Sequence, residues 1–151
     1  MLQNTCAFIG RLCLSAIFIL SALHKIAYWP DTENMVTNAI VETLSVFPSL
    51  DFLNPVVNTL QPSVILGIAT GLELIGGLLI FLGWRVRLGA TLLVIFLLPV
   101  TVVFHHFWTC EGPDRDLQMI MFLKNLSIFG GLLTVLALGK GQVKSSSQEG
   151  H

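Results

Sequence analysis

The sequence predicts an all-α integral membrane protein, a bundle of four helices that cross the bilayer, and three observations carry that expectation. First, 54% of the residues are hydrophobic and only 11% are charged, against roughly 25% charged in ordinary soluble domains. Second, four stretches are long and apolar enough to match the ~20 residues that a hydrocarbon core demands. Third, the charges fall between those stretches with alternating sign. The 151 residues fit one membrane domain, 1–139, followed by a polar tail over 140–151. A net charge of −1 offers no basic surface for nucleic acid.

The first span, about 6–29, is the least obvious. Its uninterrupted apolar core, Leu12 to Leu23, has the length of a signal-peptide core and follows Arg11. A retained span is the preferred reading. No A-x-A cleavage site follows, and Ile26, Ala27, Tyr28 and Trp29 prolong the apolar face. The second span covers 62–84, the third 86–108 and the fourth 117–139. Pro99 lies inside the third, where it removes a backbone donor and predicts a kink. Trp29, Trp84 and Trp108 fall at span ends, where indole rings anchor at the membrane interface.

The connections predict an orientation. The segment 30–61 carries Asp31, Glu33, Glu42 and Asp51 and no Lys or Arg. The turn after the second span holds Arg85 and Arg87, the next loop is acidic except for Arg115, and the tail holds Lys140 and Lys144. With Arg11, five basic residues share one side. Positive-inside bias puts both termini and the Arg85 turn in the cytoplasm, and the acidic loops outside. In the long first outer loop, Met35, Val36, Ala39, Ile40, Leu44 and Phe47 recur at helical spacing. Two readings stay open: a helix lying on the bilayer surface, or a partly ordered loop packed over the bundle.

Ionisable residues within spans are costly and mark functional sites by default. Glu73 lies midway along the second span and needs either a proton or a cation. Lys124 and Asn125 lie in the fourth span, His24 and Lys25 near the end of the first, His105 and His106 near the end of the third. All four helices thus bring polar groups to the outer half. Thr70, Glu73 and Gly77 share one helix face, and Lys124, Ser127 and Gly131 another, so both faces are expected to turn inward. Lys124 lies about 7 Å nearer the outer surface than Glu73 at 1.5 Å rise per residue, a gap that its long stem could close to form a pair. Gly67 and Gly71, the pair Gly76–Gly77 and the pair Gly130–Gly131 would let helices approach closely.

Each feature also has a structural reading. The Glu73–Lys124 pair would fix helix register, Lys25 and Arg11 would snorkel to the interfaces, and the histidines would hydrogen-bond there. Consecutive histidines point about 100° apart, so His105 and His106 are not expected to serve one centre. Haem ligation by His24 and His105 is disfavoured. Cys6, Cys13 and Cys110 form neither a CxxC pair nor a zinc pattern, and no metal site is expected.

The segments GRLCLSAIFILSALHKI, GLELIGGLLIFLGWRVRLGA, FHHFW and MFLKNLSIFGGLLTVLALG together resemble the DoxX family of small membrane proteins. The E-x-x-G-G-L and F-x-K-N-L-x-x-x-G-G-L elements carry most of that likeness. The resemblance implies a four-helix bundle and draws attention to Arg11, Lys25, Glu73, Gly76, Gly77, His105, Lys124 and Asn125. The longer first outer loop and the doubled histidine depart from the usual pattern. Some members resemble or form the membrane subunit of thiosulfate:quinone oxidoreductases, and others associate with redox complexes that include soluble partners.

The leading functional reading is therefore a redox-associated subunit of the inner (cytoplasmic) membrane that binds a quinone or similar lipophilic molecule. Glu73, Lys124 and His105 are its candidate catalytic residues, and Lys25, Asn125 and His106 its candidate cofactor-binding residues. Lys124, Asn125 and His105 would donate hydrogen bonds and Glu73 would relay protons. The chain has no flavin, metal or dithiol motif, so electrons would come from a soluble or membrane redox partner or a separately bound cofactor. The alternatives are a small proton-coupled transporter built on a mid-membrane carboxylate, and an assembly subunit whose polar cluster only holds the bundle together.

Overall fold

The computed structural model describes residues 2–47, 55 and 61–139. Its helices are α1 (Leu2–Ala27), α2 (Trp29–Val46), α3 (Pro62–Phe81), α4 (Val86–Phe104) and α5 (Gly112–Leu138), with a 3-10 turn at Phe107–Thr109 between the last two. Among the described residues, α1, α3, α4 and α5 are long and apolar enough to cross a membrane. The four expected spans are present as helices, and α4 runs through Pro99 unbroken. Asp51 and the tail over 140–151 lie outside the described residues.

α3 is the central helix, packed against α1 on one side and α4 on the other, and α5 packs chiefly on α4. Two adjacent glycines make this possible. A Cβ on Gly76 would lie 2.8 Å from the Leu93 side chain and 3.0 Å from the Gly89 carbonyl, and one on Gly89 would lie 2.8 Å from the Gly76 carbonyl. The α3 and α4 backbones therefore touch there. A Cβ on Gly77 would meet Ile19 of α1 at 3.0 Å. Neighbouring positions on a helix diverge by about 100°, so one glycine serves each partner. The other small-residue pairs do not act this way. Cβ atoms on Gly71 and Gly130 would meet nothing within 4 Å, and one on Gly67 would reach only the Trp29 ring at 4.0 Å. A Cβ on Gly131 would meet only the Leu14 side chain of α1, at 3.6 Å, so neither pair brings two backbones together.

The α3–α4 turn reverses through two left-handed residues, Gly83 (φ 68°) and Arg85 (φ 47°). The Arg11 guanidinium reaches Gly83, and Arg87 Nη2 donates to the Ala137 carbonyl at 3.1 Å beside Gly139. The lower part of α1, the α3–α4 turn and the end of α5 therefore share one end of the bundle, the arginine end. Arg11, Arg85 and Arg87 lie together at that end, while Lys140 and Lys144 fall outside the described residues.

α2 resolves the two readings of the long connection. It is helical over Trp29–Val46, starting one residue after α1 with Pro30 in its first turn, where the missing N–H costs nothing. It packs over the bundle. Its Thr32, Val36, Ile40 and Thr43 recur at helical spacing on the covered side, whereas Met35 and Val41 are exposed. Three polar contacts pin it. The Ser63 hydroxyl donates to Glu33, the Thr43 hydroxyl shares its hydrogen between the Ala39 carbonyl of its own helix at 2.8 Å and the Val103 carbonyl at 3.3 Å, and Glu42 lies 4.0 Å from His106 Nε2. Phe47 adds an edge contact to Trp108, with ring centroids 6.2 Å apart.

Candidate functional site

Beneath α2 lies a cleft of about 640 Å³, walled by α1, α3 and α4 and reached by Asn125 and Ile128 of α5. Its walls are chiefly aliphatic and aromatic, among them Ile17, Phe18, Leu66, Leu72, Phe96 and Val100. Its few polar groups are Ser21, Lys25, Thr32, Glu73, His105 and Asn125. That proportion, an apolar chamber with a handful of convergent polar groups, is characteristic of small-molecule sites.

Glu73 and Lys25 form the charged centre. Lys25 Nζ donates to Glu73 Oε2 and to Ser21 Oγ at 3.2 Å, and it lies over the Phe96 ring, 4.8 Å from the centroid. The Glu73 side chain is 3% exposed and that of Lys25 is 21% exposed. A carboxylate so deeply enclosed by apolar helices is tolerable only with a cation in contact. The lysine is the less enclosed partner, and its third N–H has no oxygen acceptor among the described residues.

The expected Glu73–Lys124 pair is corrected by this geometry. α1 flanks α3 directly, so Lys25 reaches Glu73. Lys124 sits on α5, which packs on α4, and its side chain is exposed with Nζ 3.5 Å from Met121 Sδ. Ser127 is likewise exposed and returns its hydroxyl to the Leu123 carbonyl at 3.0 Å. Lys124 and Ser127 are thus exposed outside the cleft, while Gly131 of the same face lies against α1, where a Cβ would meet Leu14 at 3.6 Å. The Thr70/Glu73/Gly77 face behaves as expected, and all three residues are buried. Buried Thr70 Oγ1 has no hydrogen-bond partner.

The remaining predicted residues divide. His105 lines the cleft, its Nδ1 within 2.8 Å of Gln118 Oε1. Asn125 lines it too and donates from Nδ2 to Thr101 Oγ1 at 3.1 Å, a bond that joins α5 to α4. His106 is buried outside the cleft, where Nδ1 lies 2.8 Å from Thr109 Oγ1 and Nε2 faces Glu42. The doubled histidine splits, one ring to the cleft and one to the α2 anchor, but not for the helical reason expected: α4 ends at Phe104, and both histidines lie in the non-helical link to the 3-10 turn. His24 stacks near Tyr28 with centroids 4.7 Å apart, away from His105. Among the described residues, no group of three His, Cys, Asp or Glu is placed to hold a metal. Sequence reasoning missed the Phe96 platform, which carries no charge that would single it out, and it did not connect the helical spacing of α2 with the roof of a cleft.

A polytopic helical membrane protein, with a paired carboxylate buried at the centre of an apolar cleft, is what these observations define. The chain belongs to the DoxX family, whose model matches residues 6–106. That match runs from α1 to His106, so α5 with Lys124 and Asn125 lies beyond it. The chain is 36% identical over 76 residues to inner membrane protein YphA of Escherichia coli, covering 50% of this chain and 54% of that protein. It is 34% identical over 76 residues to the Surfeit locus protein 4 homolog of Drosophila melanogaster, covering 47% and 28%. It is 29% identical over 72 residues to the ER-derived vesicles protein ERV29 of Saccharomyces cerevisiae, covering 48% and 23%. The chain therefore spans about half the length of the first relative and less than a third of the other two. No solved structure matches.

Proposed function

We propose that this protein is a redox-associated membrane subunit that binds a quinone, or a similar lipophilic molecule with a carbonyl head, in the cleft beneath α2. The carrying observation is the cleft itself, with a hydrogen-bonding lysine held by Glu73 among apolar walls. A quinone ring and tail need an apolar chamber, and its carbonyl oxygens need donors. Lys25 has an N–H to spare, Asn125 has a second amide hydrogen beyond the one given to Thr101, and Phe96 offers a flat face for stacking. Glu73 orients the lysine and can take up a proton at the site. In this reading electrons come from a partner protein, and the membrane is the inner (cytoplasmic) one, as the likeness to YphA supports.

The ion pair weighs against the carrier alternative, which requires a carboxylate free to exchange a proton for a cationic substrate. The test is direct binding of decylubiquinone to the purified protein in mild detergent, with mass spectrometry of co-purified lipids and quinones. Binding that is lost in Ala69→Trp, which fills the cleft wall, and weakened in Lys25→Met supports the reading. Equal uptake by the parent and Ala69→Trp, or none by either, defeats it.

A further inference from the structure

A second cavity lies at the arginine end, far along α1 from the ion pair. It occupies about 350 Å³ between α1 and α5. Ala7, Gly10 and Leu14 of α1 form one wall, and Gly131, Val135 and Leu138 of α5 the other. Arg11 stands in this groove, and Gly139 marks its edge. The two helices touch little there, and a Cβ on Gly10 would meet nothing within 4 Å. The groove is a gap between spans and is lined with small and aliphatic residues.

The groove's own cation, Arg11, has no carboxylate partner among the described residues. Arg11 Nε is buried and has no hydrogen-bond partner, and the guanidinium rests 3.1 Å from where a Cβ on Gly83 would lie. A freely snorkelling arginine would hold its polar atoms in water. Arg87, beside Gly139, spends one N–H on the Ala137 carbonyl and keeps others. Arg85 follows in the same turn. Among the described residues no carboxylate pairs with any of the three. The enclosed guanidinium of Arg11 needs an anion, and the donor fork of an arginine matches phosphate oxygens.

We propose that the α1–α5 groove is a binding site for an anionic phospholipid. One acyl chain lies along Gly10, Leu14, Gly131 and Val135, and the phosphate is held by Arg11 and Arg87. The lipid fills the gap that direct helix packing leaves open and supplies the charge that Arg11 lacks. Basic pockets between spans are a recurring way of holding anionic headgroups. The site is independent of the α2 cleft.

The test is native mass spectrometry of the full-length protein released from nanodiscs of phosphatidylglycerol or of phosphatidylcholine. The expected result is retained phosphatidylglycerol, with phosphatidylcholine stripped. Arg11→Gln with Arg87→Gln should cut retention about a hundredfold, about tenfold for each of the two lost charge-assisted contacts. Gly10→Leu keeps both arginines and fills the open groove, so it should also abolish retention; it serves if the arginine variant fails to fold. Inorganic phosphate at millimolar concentration should not displace the lipid. Equal retention of the two lipids, or unchanged retention in either variant, overturns the proposal. So does displacement by phosphate, which would reduce the site to a headgroup pocket, or retention that appears only after deletion of 141–151, which would make the tail the natural occupant.

Discussion

Lys25 and Glu73, 48 positions apart in the chain, meet where α1 crosses α3, and the lysine donates directly to the carboxylate. Gly77, one turn further along α3, lets α1 come close enough for that contact. Packing and charge are thus coupled: the glycine sets the helix separation and the ion pair makes the carboxylate tolerable.

Glu73→Gln alone strands the Lys25 ammonium among apolar groups and should cost about 3 kcal/mol or more. Combining it with Lys25→Met should recover most of that loss, because apolar replacement of a buried pair is often neutral. Ligand uptake should stay lost in the double variant, since methionine donates no hydrogen bond. Thermal melting in detergent beside quinone binding separates the two effects. A double variant with parental stability and parental binding would make the pair purely structural.

Lys124→Gln should behave differently. The side chain is exposed and engages only the Met121 sulfur, so stability should move by about 0.5 kcal/mol at most. The same melting assay checks it, and a loss comparable to that of Glu73→Gln would restore Lys124 to the charged centre.

Gly89→Ala should destabilise by about 1–3 kcal/mol, because the added carbon meets the Gly76 carbonyl at 2.8 Å and Leu79 Cβ at 2.9 Å. Gly71→Ala should be neutral or slightly stabilising, as its Cβ enters open space and alanine favours the helix. Parallel melts of the two variants decide whether the α3–α4 crossing is as tight as the distances state.

Thr43→Val with Glu42→Gln removes two of the contacts that fasten the end of α2, to the Val103 carbonyl and to His106. Backbone hydrogen exchange over residues 36–46 should quicken while the crossing spans stay protected. Faster release of a bound quinone should accompany it. Unchanged exchange would show that apolar contacts alone hold the roof.

The orientation drawn from the charge pattern predicts that a cysteine replacing exposed Arg85, in a background without Cys6, Cys13 and Cys110, is shielded from an impermeant maleimide in intact cells. A cysteine replacing Glu111 should react from outside. The reverse pattern would invert the topology.

The sequence by itself determined the class of protein and the spans. Hydropathy is a local property, and a run such as Pro62 to Phe81 has few ways to satisfy its backbone in lipid other than as a helix. It also determined that Glu73 must have a proton or a cationic partner, because a lone charge in the middle of a span is costly whichever helices surround it. Only the tertiary structure decided which partner. Lys25 and Lys124 both sit in spans at compatible depth, and the choice turns on α1 flanking α3 while α5 lies behind α4, an order of helices that no local pattern encodes. The same holds for His105 and His106. They follow the end of α4 rather than lying in it, and that one faces the cleft and the other Glu42 depends on where the chain turns and where α2 lies. The cleft belongs to no single segment. It exists because α2 covers the space between α1, α3 and α4, and its Phe96 and Ile40 look like ordinary apolar residues until the helices are assembled.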